Sequence, residues 1–287
     1  MADSPQPPGH WWLPGDDQRE ASSAFDASVP STARMYDYYL GGKDNFAADR
    51  MAAEQALSVV PQGRRIALAN RHFLARAVLR MTEQGIRQFI DLGTGIPTRP
   101  SVHEIARQAV PDARVVYVDN DPVVTTHNRA CLTADEGIRA IHGDIREPGA
   151  ILGNDIVRRL VDFNQPVGVL LVAVLHFITD DEGPERIIRA FTDHMVPGSY
   201  LALSHITSDG TDPDAMTTIK DAYADASAPA VFRTTTQIRE FFAGFTLEPP
   251  GLIDVAEWFP YAAVFSASPR KVRFLGGLGR KARRPTP

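Results

Sequence analysis

The sequence has a single cysteine, Cys131, in 287 residues. One thiol forms no internal disulfide and no zinc cluster, so a reducing cytoplasm is the expected setting. It has no apolar run of about 18 residues, the length that a membrane-crossing helix needs. The opening Met1-Ala2-Asp3-Ser4-Pro5 lacks the charged-then-apolar pattern of a secretory signal. An excess of basic charge is missing as well. Thirty Lys and Arg stand against 35 Asp and Glu, a formal net charge of -5. That excludes global attraction to nucleic acid and leaves room only for a local basic patch.

What remains is ordinary globular composition, 44% hydrophobic and 23% charged. The length suits one large α/β domain with an N-terminal extension and is short for two full domains. Residues 1–30 are rich in Pro, Ser, Asp and Gly without apolar periodicity, and are expected to be disordered or loosely docked. Ser31-Thr32-Ala33-Arg34 reads as the capped start of a helix carrying Met35, Tyr36, Tyr39 and Leu40, stopped by Gly41-Gly42. Helices are predicted near 46–59 and 61–84, so residues 31–84 form a helical cap. From there strands predicted at 87–92, 114–119, 138–142, 167–172 and 199–204 alternate with helices. Two last strands, at 252–256 and 261–266, have a short connection and are expected to pair antiparallel. The expectation is a doubly wound, mostly parallel seven-stranded α/β sheet over residues 85–268 with an antiparallel last strand. Residues 269–287, with Arg280, Lys281, Arg283 and Arg284, read as a solvated basic tail.

The chemistry concentrates at strand ends. Phe89-Ile90-Asp91-Leu92-Gly93-Thr94-Gly95 is a buried strand running into a tight turn, where glycines let a ligand approach the backbone. A dinucleotide fingerprint needs a third glycine where Thr98 stands, and Pro97 and Pro100 flank it. The turn therefore lacks a pyrophosphate cradle, while Asp91 favours a cationic ligand. Asp119, followed by Asn120, ends the next strand, where a carboxylate accepts ribose hydroxyls. Asp121 serves either there or as the cap of the helix opening at Pro122. Gly143-Asp144-Ile145 follows the third strand; an Asx turn is its plain alternative. His176, beyond the fourth strand, is a candidate general base because an ordinary imidazole titrates near neutral pH; its alternative is to shape a pocket. Tyr36, Lys43 and Arg71 offer aromatic and cationic groups to an open ligand edge, and either cation suits a carboxylate. The alternative is an amphipathic helix with a solvated polar face.

The four strand-end motifs, in this order, resemble class I S-adenosylmethionine methyltransferases. The run from Pro30-Ser31-Thr32-Ala33-Arg34 through Gly41-Gly42-Lys43-Asp44-Asn45-Phe46, with Asn70-Arg71 and Phe73, is similar to a bacterial S-adenosyl methyltransferase family long catalogued as a domain of unknown function. The resemblance spans about residues 29–268. It implies a Rossmann-like fold and S-adenosylmethionine as cofactor, held by Asp91, Gly93, Thr94, Gly95, Asp119 and Asn120. By the same resemblance Asp144 meets the adenine amino group, Ile145 packs on the ring, and Ala173 and Leu175 line the site. Tyr36, Lys43 and Arg71 close it.

No acceptor follows from the resemblance. A small molecule is expected, with neither a nucleic-acid nor a membrane partner. Two other readings stand beside it: a silent cofactor sensor, since no base is clear, and an RNA or protein methyltransferase. Arg64-Arg65 permits the latter, but 173–176 reads Ala-Val-Leu-His instead of the Asn/Asp-Pro-Pro-Tyr/Phe of many amino-nitrogen methyltransferases.

Overall fold

A computed structural model describes residues 26–131, 135–258 and 272–282. The strands form where β-branched and aromatic residues cluster. They are Gln88–Leu92 (β1), Arg114–Asp119 (β2), Ile138–His142 (β3), Gly168–Val172 (β4), Tyr200–Thr207 (β5), Phe245–Leu247 (β6), Ile253–Asp254 (β7) and Arg273–Lys281 (β8). Their order is β3-β2-β1-β4-β5-β8-β6, with β7 also paired to β8. The first five strands run parallel, and β8 runs antiparallel to β5 from Tyr200↔Arg280 to Thr207↔Arg273.

Both faces of the sheet are covered, as continuous apolar strands require. Phe89, Val115, Tyr117 and Leu170 point to one core layer, shared with Phe73, Leu74, Val78 and Met81 of the long helix Gly63–Glu83. Ile90, Val116, Val118 and Leu171 point to the other, with Phe191, Phe241 and Phe242. The N-terminal helices are Thr32–Tyr39 (α1), Ala47–Val59 (α2) and Gly63–Glu83 (α3). Because α3 shares its core layer with β1 and β4, the helical extension is built into the sheet's covering. Among the described residues no helix is long and apolar enough to cross a membrane.

Two expectations change and a third is untested. Among the described residues the sheet has eight strands in place of seven. Residues 273–281, expected as part of a solvated tail, form the long β8 with Leu275 and Leu278 buried. The expected strand at 261–266 lies outside the described residues. Glycine misleads in β8, because Gly276, Gly277 and Gly279 read as a flexible end. In the fold they make room for rings pressed on the strand. A Cβ at Gly279 would stand 2.9 Å from Phe242 Cδ1 and 2.9 Å from Phe245 Cβ. Gly279→Ala is therefore expected to destabilise by about 1–3 kcal/mol in urea unfolding, the usual cost of overpacking. Gly149→Ala, with nothing within 4 Å of the added carbon, is the control expected to stay within about 0.5 kcal/mol.

Candidate functional site

The carboxyl ends of β1 to β4 open into a cavity of about 400 Å³. That is within the usual range for small-molecule sites. The turn after β1 makes its floor. Gly93 and Gly95 take φ of +69° and +67°, which side-chain-bearing residues rarely adopt. A Cβ on Gly93 would also lie 2.4 Å from Val174 Cγ2. The Gly93 N–H donates to the Val118 carbonyl at 2.8 Å, locking the turn to β2.

Two acids stand beside this turn. Asp91 accepts from Thr94 Oγ1 at 3.0 Å. Asp119 accepts from the Gly95 N–H at 2.8 Å and the Asp121 N–H at 2.9 Å. Both carboxyls are buried, and burial pushes each up to about 6. Hydrogen bonds to Thr94 and the Arg71 charge oppose the rise for Asp91, and backbone donors oppose it for Asp119. The cavity thus holds carboxylates that gain from a cationic or hydroxyl-bearing ligand.

Asp144 behaves differently. Burial alone would raise its pKa, but donors on Arg146, with Asn120, outweigh that and lower it. Its Oδ1 accepts from the Arg146 backbone N–H and Nε, both at 2.9 Å, and its Oδ2 accepts from Arg146 Nη2 and, at 3.3 Å, from Asn120 Nδ2. Arg146 in turn pairs with Glu182 at 2.9 Å. The Asp144 carboxylate lines the cavity with its lone pairs engaged. Ile145, buried beside it, supplies apolar wall.

The far wall begins where β4 ends. Ala173 takes φ +59°, the one positive value of a non-glycine among the described residues. Its N–H donates to Ser204 Oγ at 3.0 Å, whose hydroxyl donates to Asn70 Oδ1 at 2.7 Å. Asn70 Nδ2 donates to the Tyr36 hydroxyl at 2.9 Å, and that hydroxyl donates to the Ala67 carbonyl at 3.1 Å. A closed hydrogen-bond chain thus holds the strained Ala173 turn to α3 and α1. Strain of this kind persists where surroundings over-determine it, which is typical of functional sites.

The N-terminal segment forms the remaining wall, through Pro30, Ser31 and Arg34. Ser31 does not cap α1 with its side chain; its hydroxyl donates to Asp121 at 2.6 Å. Arg34, buried, pairs with Asp49 at 2.9 Å and Asp121 at 3.0 Å. Asp121 also accepts from the Val123 N–H at 2.8 Å, so it caps its helix and ties down the N-terminal wall together. Arg71 reaches from α3 to the Thr98 and Pro100 carbonyls at 3.0 and 2.8 Å while lining the cavity.

The cavity therefore gathers Tyr36, Arg71, Asp91, Gly93, Thr94, Gly95, Asp119, Asn120, Asp144, Ile145 and Ala173. Three expected members are elsewhere. Lys43 is exposed on a loop drawn onto Asp37, whose carboxylate accepts from the Asp44 N–H at 3.0 Å and Asn45 Nδ2 at 2.8 Å. Leu175 is fully buried in the core under the sheet, because the left-handed turn at Ala173 breaks the strand's alternation. His176 follows it into a short helical turn, 6% exposed, and lines a separate, smaller cavity. Burial, then the neighbouring His205 and Arg233, hold its imidazole well below the ordinary value, a poor setting for a general base near neutral pH. Asn70, Phe177, Ser31 and Arg34 complete the walls and were not singled out as site residues. Their signal lay in the Pro30 to Arg34 run and in Asn70-Arg71.

A doubly wound sheet with an antiparallel strand set between β5 and β6, a glycine turn after β1 and an acid closing β2 make a Rossmann-like fold with its ligand cavity at the strand ends. The chain belongs to the S-adenosyl methyltransferase family, whose sequence profile matches residues 18–282. S-adenosylmethionine is accordingly its cofactor. A provisionally assigned methyltransferase of Thermobifida fusca YX is 39% identical and superposes with a TM-score of 0.84, covering 90% of this chain and 97% of that one. A DUF574 family protein of Streptomyces avermitilis MA-4680 is 36% identical with a TM-score of 0.84, covering 89% of this chain and 99% of that one. Among curated proteins none matches the chain. The polar groups at the cavity suit the cofactor: buried acids to accept from hydroxyls and an ammonium group, and a guanidinium to donate to a carboxylate.

Proposed function

We propose that the cavity binds S-adenosylmethionine against Asp91, Asp119 and Arg71 and that the chain methylates a small-molecule acceptor. The observation that carries this reading is the pair of buried acids on either side of the glycine turn. When bound, the cofactor supplies a methyl group activated on a sulfonium. Asp119 would accept the ribose hydroxyls and Asp91 the methionyl ammonium. Arg71 would hold the methionyl carboxylate, and Gly93, Thr94 and Gly95 would present backbone at close range. Asn120 would edge the ribose, and Ile145 would pack on the adenine. Asp144 would fix Arg146 and Asn120 at the adenine end, since its own oxygens are engaged. Ala173 and Tyr36 would shape the wall facing the acceptor. Methyl transfer of this kind needs chiefly alignment of nucleophile, methyl carbon and sulfur, which rigid walls provide. A small acceptor fits a cavity walled by the N-terminal segment better than an extended chain does, and the net charge of -5 gives nucleic acid no general attraction.

Two measurements test this site. Arg71→Ala is expected to weaken cofactor binding in calorimetry by about 10- to 100-fold, the range for a hydrogen bond to a charged group. Unchanged affinity with an intact fold would remove Arg71 from the site. The second is pH. Both acids sit at about 6 in the folded chain and bind the cofactor as carboxylates. Affinity should therefore rise from pH 5 to pH 7 and level off above, by up to about tenfold for each acid. The sign for the unliganded chain is opposite. Raised folded values contribute stability below the ordinary aspartate value of 3.8, and it is lost as pH rises through about 6. Affinity that is flat, or that falls, over that interval would contradict the assignment.

A further inference from the structure

Beside the first cavity lies a second one of about 100 Å³, and Tyr36, Asn70 and Phe177 belong to the walls of both. Its walls are mostly apolar and partly aromatic. The His176 and Phe177 rings are 4.3 Å apart, Phe177 and Tyr223 5.3 Å, and His176 and Phe274 5.3 Å. No Asp, Glu, Lys or Arg is among the residues lining it. A few polar groups interrupt the apolar surface, among them the Asn70 amide and the Tyr36 hydroxyl, which are hydrogen-bonded to each other. The Tyr39 and Tyr223 hydroxyls share a hydrogen bond at 3.2 Å. His176 Nδ1 has no hydrogen-bond partner but is wholly enclosed, so it presents no surface to the cavity. A cavity so lined gains most from an apolar occupant. An apolar void of this kind otherwise stays dry.

We infer that the second cavity receives the non-reacting ring of the methyl acceptor, and that the acceptor is a small, uncharged aromatic compound. The inference rests on the first cavity being the cofactor site. Size supports it: a cavity of about 150 Å³ lined by Leu, Ile and Phe holds benzene. The second cavity, at about 100 Å³, takes most of one ring and leaves the remaining atoms to extend past Tyr36 and Phe177 into the first. Charge supports it too. An ionised acceptor would lose its hydration with no opposite charge on the walls to replace it. Burial keeps the His176 imidazole neutral at working pH, so that part of the wall adds no charge.

The test is calorimetric titration of phenol into the full chain saturated with S-adenosylhomocysteine, repeated with benzoate and benzylammonium at pH 7.5. Phenol is expected to bind one to one with a dissociation constant of about 1 mM or below, within the efficiency open to so small a ligand. Benzoate and benzylammonium should each bind at least about tenfold more weakly. Ala67→Leu fills the cavity and should abolish phenol binding, with S-adenosylhomocysteine affinity kept within about twofold as the check on folding. A chain that binds S-adenosylhomocysteine but not phenol, or that binds benzoate as well as phenol, overturns the inference while leaving the cofactor site intact. So does phenol binding unaltered in Ala67→Leu. Failure to bind S-adenosylhomocysteine at all would instead overturn the reading of the first cavity.

Discussion

Asp119→Ala is expected to weaken S-adenosylmethionine binding by at least about 100-fold, the largest effect of any single change at the site. Two hydrogen bonds from hydroxyls to a carboxylate contribute roughly 1.5–3 kcal/mol each. The same carboxylate holds the Gly95 and Asp121 N–H groups, so its loss also loosens the turn that faces the ligand. Stability should change far less than affinity. The variant leaves two backbone donors without their partner, but it also removes a carboxylate whose pKa burial has pushed up to about 6. These terms oppose each other, and a net loss of about 1–2 kcal/mol is expected in unfolding. Asp119→Asn keeps an acceptor and loses the charge, so its affinity should fall between those of the alanine variant and the parent. If Asp119→Ala binds the cofactor within about threefold of the parent, the ribose assignment fails.

The second large effect concerns stability. Arg34→Met should cost about 3–5 kcal/mol, because it leaves buried carboxylates facing a neutral side chain. Asp49 has no solvent exposure, and Asp121 is nearly as enclosed. Asp49 keeps the Ser31 and Phe46 N–H donors at 2.8 and 2.7 Å, which limits the loss and places the expectation near the lower end. For a chain of this size the melting temperature should fall by roughly 5–8 °C. Arg64→Met is the contrast. Its partner Glu54 is 3.1 Å away with 55% of its side chain exposed, and screened pairs of that kind are worth under about 1 kcal/mol. Equal, small losses in the two variants would show that Arg34 does not anchor the N-terminal wall. Because Pro30, Ser31 and Arg34 line the cavity, Arg34→Met should lower cofactor affinity as well.

The strand ends were the most legible part of the sequence. Arg114-Val115-Val116-Tyr117-Val118-Asp119 has β-branched residues throughout and an acid at its end, and β2 spans those six residues. Gly93 and Gly95 announced a turn that only glycine enters easily, and both adopt positive φ. The misreadings have equally local causes. Periodicity does not register a strand such as β8, whose small residues exist to receive Phe73 and Phe242 from elsewhere in the chain. Extending the β4 pattern through 173–176 put Leu175 and His176 at the cavity, but an alanine in the left-handed region leaves no mark in the sequence. Lys43 was placed by its charge, and the loop that carries it away is held by Asp37, a contact between residues whose side chains no pattern pairs. Asn70 and Ser204 meet across 134 positions of chain, a separation that single-sequence periodicity cannot bridge.

The central claim is that the cofactor lies across the glycine turn between Asp91 and Asp119. A crystal structure of the full chain soaked with S-adenosylhomocysteine tests it most directly. The account predicts both ribose hydroxyls within hydrogen-bond reach of the Asp119 carboxylate, the amino group beside Asp91 and the ligand carboxylate at Arg71. A ligand bound elsewhere, or one whose ribose faces away from Asp119 with the turn intact, would contradict it.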